Sequence, residues 1–145
     1  MAVCTFIALL LVSISQVRHA LAATLPRGSY CMTGCNDAYY GIPLKGPADV
    51  CANELQVKAQ YYCAAVYCSP AEIEPGLNYI SDYCVRYGQD PLPSFESVVS
   101  PSLDLSNIER ISRTAAASRS AIDYPVIPDA DFFAISYRTV VRLRR

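Results

Sequence analysis

Apolar residues fall into three kinds of run along the chain. The first is continuous, Thr5 to Ile14. The second recurs at helical spacing over about residues 26–92. There Cys31 and Cys35, at i and i+4, share one helical face. Pro47 follows Gly46 and suits a first helical position, predicting a helix from Ala48 to Cys68. Its apolar stripe is Cys51, Leu55, Tyr62 and Val66, with Asn53, Glu54, Gln56, Lys58 and Gln60 mostly outward. Ser69-Pro70-Ala71-Glu72 reads as a capping box with proline at N1. Pro75-Gly76 is expected to interrupt that helix and start another, striped by Leu77, Ile80, Cys84 and Tyr87 and closed by Gly88 at C′. No segment alternates apolar and polar positions long enough to predict a strand.

The third kind of run is broken. Pro91-Leu92-Pro93-Ser94 and Ser100-Pro101-Ser102 are breakers, and 102–119 is rich in Ser, Arg and Ala. This stretch reads as a flexible linker with at most one helical patch, from Leu105, Ile108 and Ile111. Asp129–Arg145 is expected to be helical, with Phe132, Phe133, Ile135, Val140 and Val141 apolar. It ends on Arg138, Arg142, Arg144 and Arg145, a basic amphipathic end of the kind that lies on membrane surfaces.

The first run, followed by Ala20-Leu21-Ala22, has the form of a secretory signal cut after Ala22. About ten apolar residues fall short of the roughly 20 that span a bilayer. Cleavage removes the chain's single histidine, His19, and Cys4. The organisation expected is therefore a signal peptide at 1–22, a six-cysteine helical domain at 23–92 and a linker or tail at 93–145. Localisation follows as secreted, or on the extracellular side of the plasma membrane.

With Arg18 gone, 11 Lys and Arg face 13 Asp and Glu, a net charge of −2 that attracts no nucleic acid. A chain of 145 residues without GxGxxG or GxxxxGK[ST] holds no full flavin or nicotinamide domain. Without histidine, residues 23–145 run neither a Ser-His-Asp nor a Cys-His mechanism and offer zinc or haem no imidazole. No Asn-x-Ser/Thr sequon occurs.

Cys31, Cys35, Cys51, Cys63, Cys68 and Cys84 remain, an even set spaced C-x3-C-x15-C-x11-C-x4-C-x15-C. In an oxidising compartment such a set is a disulfide framework; the spacings of three and four do not match the C-x2-C pairs that zinc favours. Fifteen pairings are open. Two antiparallel helices carrying C-x3-C and C-x4-C would bridge at both positions. That geometry pairs Cys31 with Cys68 and Cys35 with Cys63, leaving Cys51 for Cys84. A core this small needs such staples. The fold class expected is α: a small disulfide-stapled helical domain of three or four helices with a mostly irregular C-terminal tail.

Nine of the eleven tyrosines lie between Tyr30 and Tyr87. One reading is a tyrosine-lined ligand surface. The other, adopted here, is packing: with no Trp in the chain and no Phe in this stretch, Tyr supplies the large apolar area. The seven carboxylates of residues 26–92 are scattered against four cations, and none converge as a catalytic or hard-cation pair.

The series Tyr30-Cys31-x3-Cys35, Cys51, Tyr62-Cys63-x4-Cys68-Ser69-Pro70, Gly76-Leu77-x-Tyr79, Cys84 and Leu92-Pro93-Ser94-Phe95-Glu96 resembles the extracellular N-terminal region of fungal ferric-chelate reductases. The segment from Val126-Ile127-Pro128 through Phe132-Phe133 to Tyr137-Arg138-Thr139 is similar to the stretch before their first transmembrane helix. The resemblance implies a secretory-pathway membrane protein with a transmembrane haem domain and cytosolic FAD and NADPH domains. This chain carries no haem histidines or nucleotide motifs. It is expected to be an isolated or truncated ectodomain, non-catalytic alone, with a membrane reductase domain as partner and a metal chelate as ligand. The run Cys51-x11-Cys63-x4-Cys68-x15-Cys84 is also similar to half of the fungal eight-cysteine CFEM pattern, whose members bind haem through an aspartate. That resemblance makes Asp49 the candidate haem or metal position. No cofactor is otherwise expected. The alternatives are thus a secreted haem or iron binder, or a cofactor-free fungal effector.

Overall fold

The computed structural model describes residues 25–143. The expected signal peptide, with Cys4 and His19, and the terminal Arg144 and Arg145 lie outside the described residues. Three long helices hold four of the six cysteines and flank the other two: α1, Tyr30–Tyr39, α2, Glu54–Tyr67, and α3, Pro70–Arg86. Short helices α4, Phe95–Val98, and α5, Arg113–Ala117, precede a last long helix, α6, Ala130–Arg142. Strands β1, Arg110–Ile111, and β2, Ile127–Pro128, pair in parallel, Arg110 beside Ile127 and Ile111 beside Pro128. The fold is the α class expected.

The disulfides follow the antiparallel-helix geometry. Cys31 bonds Cys68 and Cys35 bonds Cys63, with Cα separations of 5.6 and 5.9 Å, clamping α1 to α2. Cys51 bonds Cys84 across 5.5 Å, tying the turn before α2 to the end of α3.

Helix α2 starts at Glu54, not at Ala48. Asn53 is the reason. Its Oδ1 accepts from the Gln56 N–H at 3.1 Å while its Nδ2 donates to the Pro47 carbonyl at 2.9 Å. These bonds close 47–53 into a turn and cap the helix at once, an alternative to helix that Asn side chains offer the backbone. The outward positions are corrected too: Asn53, Gln56 and Gln60 are buried, because α2 is the central helix and is covered nearly all round. Gln60 Nε2 donates to Asn36 Oδ1 at 2.5 Å on α1.

Helix α3 opens as expected: the Glu72 carboxylate accepts from the Ser69 N–H at 3.1 Å and from its hydroxyl at 2.8 Å. It then runs through Pro75-Gly76 without a break. The missing Pro75 N–H removes one backbone bond. Packing offsets this, since Gly76 lets α3 lie directly on α1. A Cβ there would sit 2.3 Å from Met32 Cβ, and Met32 is fully buried. The helix ends in a Schellman motif. Gly88, at φ +80°, follows the C-cap, and the Gln89 and Gly88 N–H groups donate to the Cys84 and Val85 carbonyls, each at 3.0 Å. Ile80 and Cys84 are buried and Leu77 is partly so, but Tyr87 lies past the last turn and is exposed.

Most of the chain between α4 and α6 is irregular, yet it is not the flexible linker anticipated. Ile111, Ala116, Ile122, Val126, Ile127 and Phe132 join Cys35, Ala38, Tyr39, Ile42, Ala59, Tyr62 and Cys63 in one buried cluster. Nor do Leu105, Ile108 and Ile111 share a helix: Leu105–Asn107 is a 3-10 turn and Ile111 is in β1. Asp129 caps α6, its Oδ1 accepting from the Phe132 N–H at 2.8 Å. The Tyr39 hydroxyl oxygen stands 2.7 and 2.8 Å from the Ala59 and Val126 carbonyl oxygens, which share its one proton, linking α1, α2 and the segment entering β2.

Candidate functional site

After Gly88 the chain turns back as a strap, 89–94. Pro91 and Pro93 bias the residue before each towards extended backbone, so the strap cannot coil onto α3. Three contacts hold it. The Leu92 N–H donates to Ser81 Oγ at 3.1 Å, the Tyr61 hydroxyl donates to the Pro93 carbonyl, and Phe95 stacks on Tyr61 with ring centroids 5.8 Å apart.

A cavity opens on each side of the strap. One, about 620 Å³, lies towards α3 and is walled by Ile73, Leu77, Leu92 and Phe95 with the exposed carboxylates Glu74 and Glu96. The other, about 540 Å³, lies towards α2 and is walled by Val57, Tyr62, Leu92 and Val98 with the exposed Glu54, Lys58 and Asp90. The Lys58 ammonium stands 5.9 Å from the centre of the Tyr62 ring. Cys51, half-buried, lines this second cavity through its bond to Cys84. Sequence reasoning missed both cavities. The signal was Pro91-Leu92-Pro93, read only as a breaker.

The six cysteines are brought together in pairs, as structural bonds rather than reactive thiols. Asp49 lines neither cavity. Its Oδ1 accepts from the Cys51 N–H at 2.9 Å, within a run of exposed residues from Lys45 to Asp49. A haem ligand needs apolar cover for the macrocycle around it. Asp49 has turn backbone and solvent instead, so the residues around it do not fit haem. Among the described residues no three His, Cys, Asp or Glu side chains gather as a metal site.

The tyrosines divide. Tyr39, Tyr61 and Tyr62 are buried and pack the core. Tyr67 stacks on Phe133 with centroids 4.4 Å apart and donates to the Pro128 carbonyl at 2.8 Å. Tyr40, Tyr83 and Tyr87 are exposed, and the rings of the last two lie 4.7 Å apart.

No known protein family, curated protein or solved structure matches this chain. Its chemistry is therefore read from its own side chains.

The buried phenols give one measurable consequence. Burial pushes Tyr39 well above the ordinary phenol value of 10.0 and Tyr61 up to about 12. It raises Tyr67 as well, against an opposing effect of the Arg110 guanidinium. A phenol whose folded pKa is raised loses its proton first in the unfolded chain. The folded state then binds more protons, and stability falls as pH rises past 10. The urea midpoint is expected to hold to about pH 10 and to fall steadily towards pH 12, with phenolate absorbance from Tyr39 appearing only with unfolding. A midpoint unchanged across that window would contradict the burial of these three hydroxyls.

Proposed function

We propose that this chain is a non-catalytic extracellular module, secreted or on the outer side of the plasma membrane. In line with its resemblance to ferric-chelate reductase ectodomains, it holds a metal chelate for a membrane reductase partner that carries the electron-transfer groups. The observation that supports this reading best is the closure of all six cysteines in three structural disulfides around one helical core. Structural disulfides of secreted proteins typically sit below about −300 mV, so they are poor electron shuttles. Residues 23–145 contain no histidine for haem and no glycine-rich loop for a nucleotide phosphate. Electron transfer needs cofactors that a protein must position. The surface offered to a chelate is the exposed Tyr83–Tyr87 pair on and just past α3, with Asp82 adjoining it in sequence.

The test is a ferric citrate reduction assay with NADPH and FAD on the purified chain. No turnover above a protein-free control is expected. Turnover that scales with protein concentration would contradict the proposal. Apolar segments of about 20 residues encoded beyond Arg145 would support the membrane partner.

A further inference from the structure

We propose that the strap and the two cavities beside it form a docking groove for a basic amphipathic peptide segment of a partner protein. Leu92 and Pro93 line both cavities, so one ridge divides them. Their volumes, about 620 and 540 Å³, fall in the range of binding pockets. A small ligand fills one side. An occupant that fills both must cross the ridge and put apolar groups down each flank, which a peptide with spaced apolar side chains does.

The charge decides the character of that peptide. Glu74 and Glu96 stand at the first cavity, Glu54 and Asp90 at the second, all exposed. They face one cation, Lys58, which lies over Tyr62. Among the described residues the only ion pair is Arg119–Glu109, far along the chain from these acids. Four unpaired carboxylates around apolar walls complement lysine and arginine on a peptide with an apolar residue at about every third position.

The groove does not depend on chelate capture. Glu74, Leu77, Asn78 and Ser81 lie on one face of α3 by their i, i+3, i+4, i+7 spacing, whereas Tyr79 and Tyr83 follow another. Loss of chelate binding would leave it intact.

The probe is a labelled peptide of about twelve residues, Leu-Lys-Lys-Leu-Arg-Lys repeated twice, read by fluorescence anisotropy with the full chain. Two controls replace every cation by Glu, or every Leu by Ser. The basic amphipathic peptide is expected to bind, and to lose roughly tenfold in affinity as salt rises several-fold above about 0.05 M. Both controls should fail to bind up to about 1 mM. Glu74→Gln/Glu96→Gln should weaken binding by about tenfold, while Asp123→Asn/Asp131→Asn, of equal charge change at exposed residues that line neither cavity, should alter it less than about twofold. The proposal is overturned if no peptide binds, if the Glu or Ser control binds as well, or if the two charge variants lower binding equally. Competition at equal concentration by tetrabutylammonium would assign the groove to small organic cations instead. Self-association abolished by Glu74→Gln/Glu96→Gln would assign it to a second copy; either result also overturns the peptide.

Discussion

A chain ending at residue 92 is expected to lose its cooperative unfolding transition and to bind a hydrophobic dye, although it keeps every cysteine of the framework. The reason lies in the shared core. Ile111, Ile122, Val126, Ile127 and Phe132 cover Cys35, Tyr39, Ala59 and Tyr62. Each such aliphatic or aromatic side chain contributes about 1.5–3 kcal/mol on burial. Five of them approach or exceed the roughly 5–15 kcal/mol net stability of a whole domain. Truncation also removes the Val126 carbonyl that takes the Tyr39 hydroxyl and the Pro128 carbonyl that takes that of Tyr67. Far-UV circular dichroism should show residual helix, held by the disulfides, with a broad, shallow thermal transition. A sharp transition within a few degrees of the full chain would mean that residues 23–92 fold alone.

Removal of the inner disulfide is expected to cost more than removal of the outer one. Cys35–Cys63 closes a separation of 28 residues and Cys51–Cys84 one of 33. Loop entropy is therefore nearly equal, about 3.6 kcal/mol in each case. Burial separates them. Cys35 and Cys63 are both fully buried between α1 and α2, while Cys51 is half-buried at the edge of a cavity. Cys35→Ala/Cys63→Ala leaves a sealed void that adds about 1–3 kcal/mol. Cys51→Ala/Cys84→Ala also empties the fully buried Cys84 position, but its Cys51 side opens onto the cavity, so the added cost is at most about 1 kcal/mol. At roughly 4 °C per kcal/mol, Tm should fall by nearly 20 °C or more for the inner pair and by about 14–18 °C for the outer. Equal shifts would show that the inner site collapses without a void.

What could be read from the chain beforehand was local chemistry. Ser69, Pro70 and Glu72 announce the start of α3, Gly88 its end, and Asp129 with the apolar residues after it announces α6. Two cysteine pairs spaced by one helical turn suffice to suggest an antiparallel clamp. What could not be read was decided by contacts distant in sequence. Asn53 caps α2 because Pro47 comes within reach of its amide. Pro75 stays inside α3 because Gly76 seats that helix on Met32. Gln56 and Gln60 are interior because α2 is surrounded, which their polarity does not signal. Ile111, Ile122, Val126 and Ile127 follow no helical or strand period, so nothing local marks them as core. The two cavities are a matter of shape. They arise where a proline-stiffened strap crosses between α2 and α3, and only its anchors, Ser81, Tyr61 and Phe95, fix where it runs.

The six cysteines form a closed structural framework rather than a reactive or metal-binding set. Proteolysis of the purified chain without reduction, followed by mass spectrometry of the linked peptides, tests this most directly. The expected result is three linked pairs, Cys31–Cys68, Cys35–Cys63 and Cys51–Cys84, with no alkylated cysteine among them. One or more equivalents of alkylated cysteine from this set, or a different pairing, would contradict it.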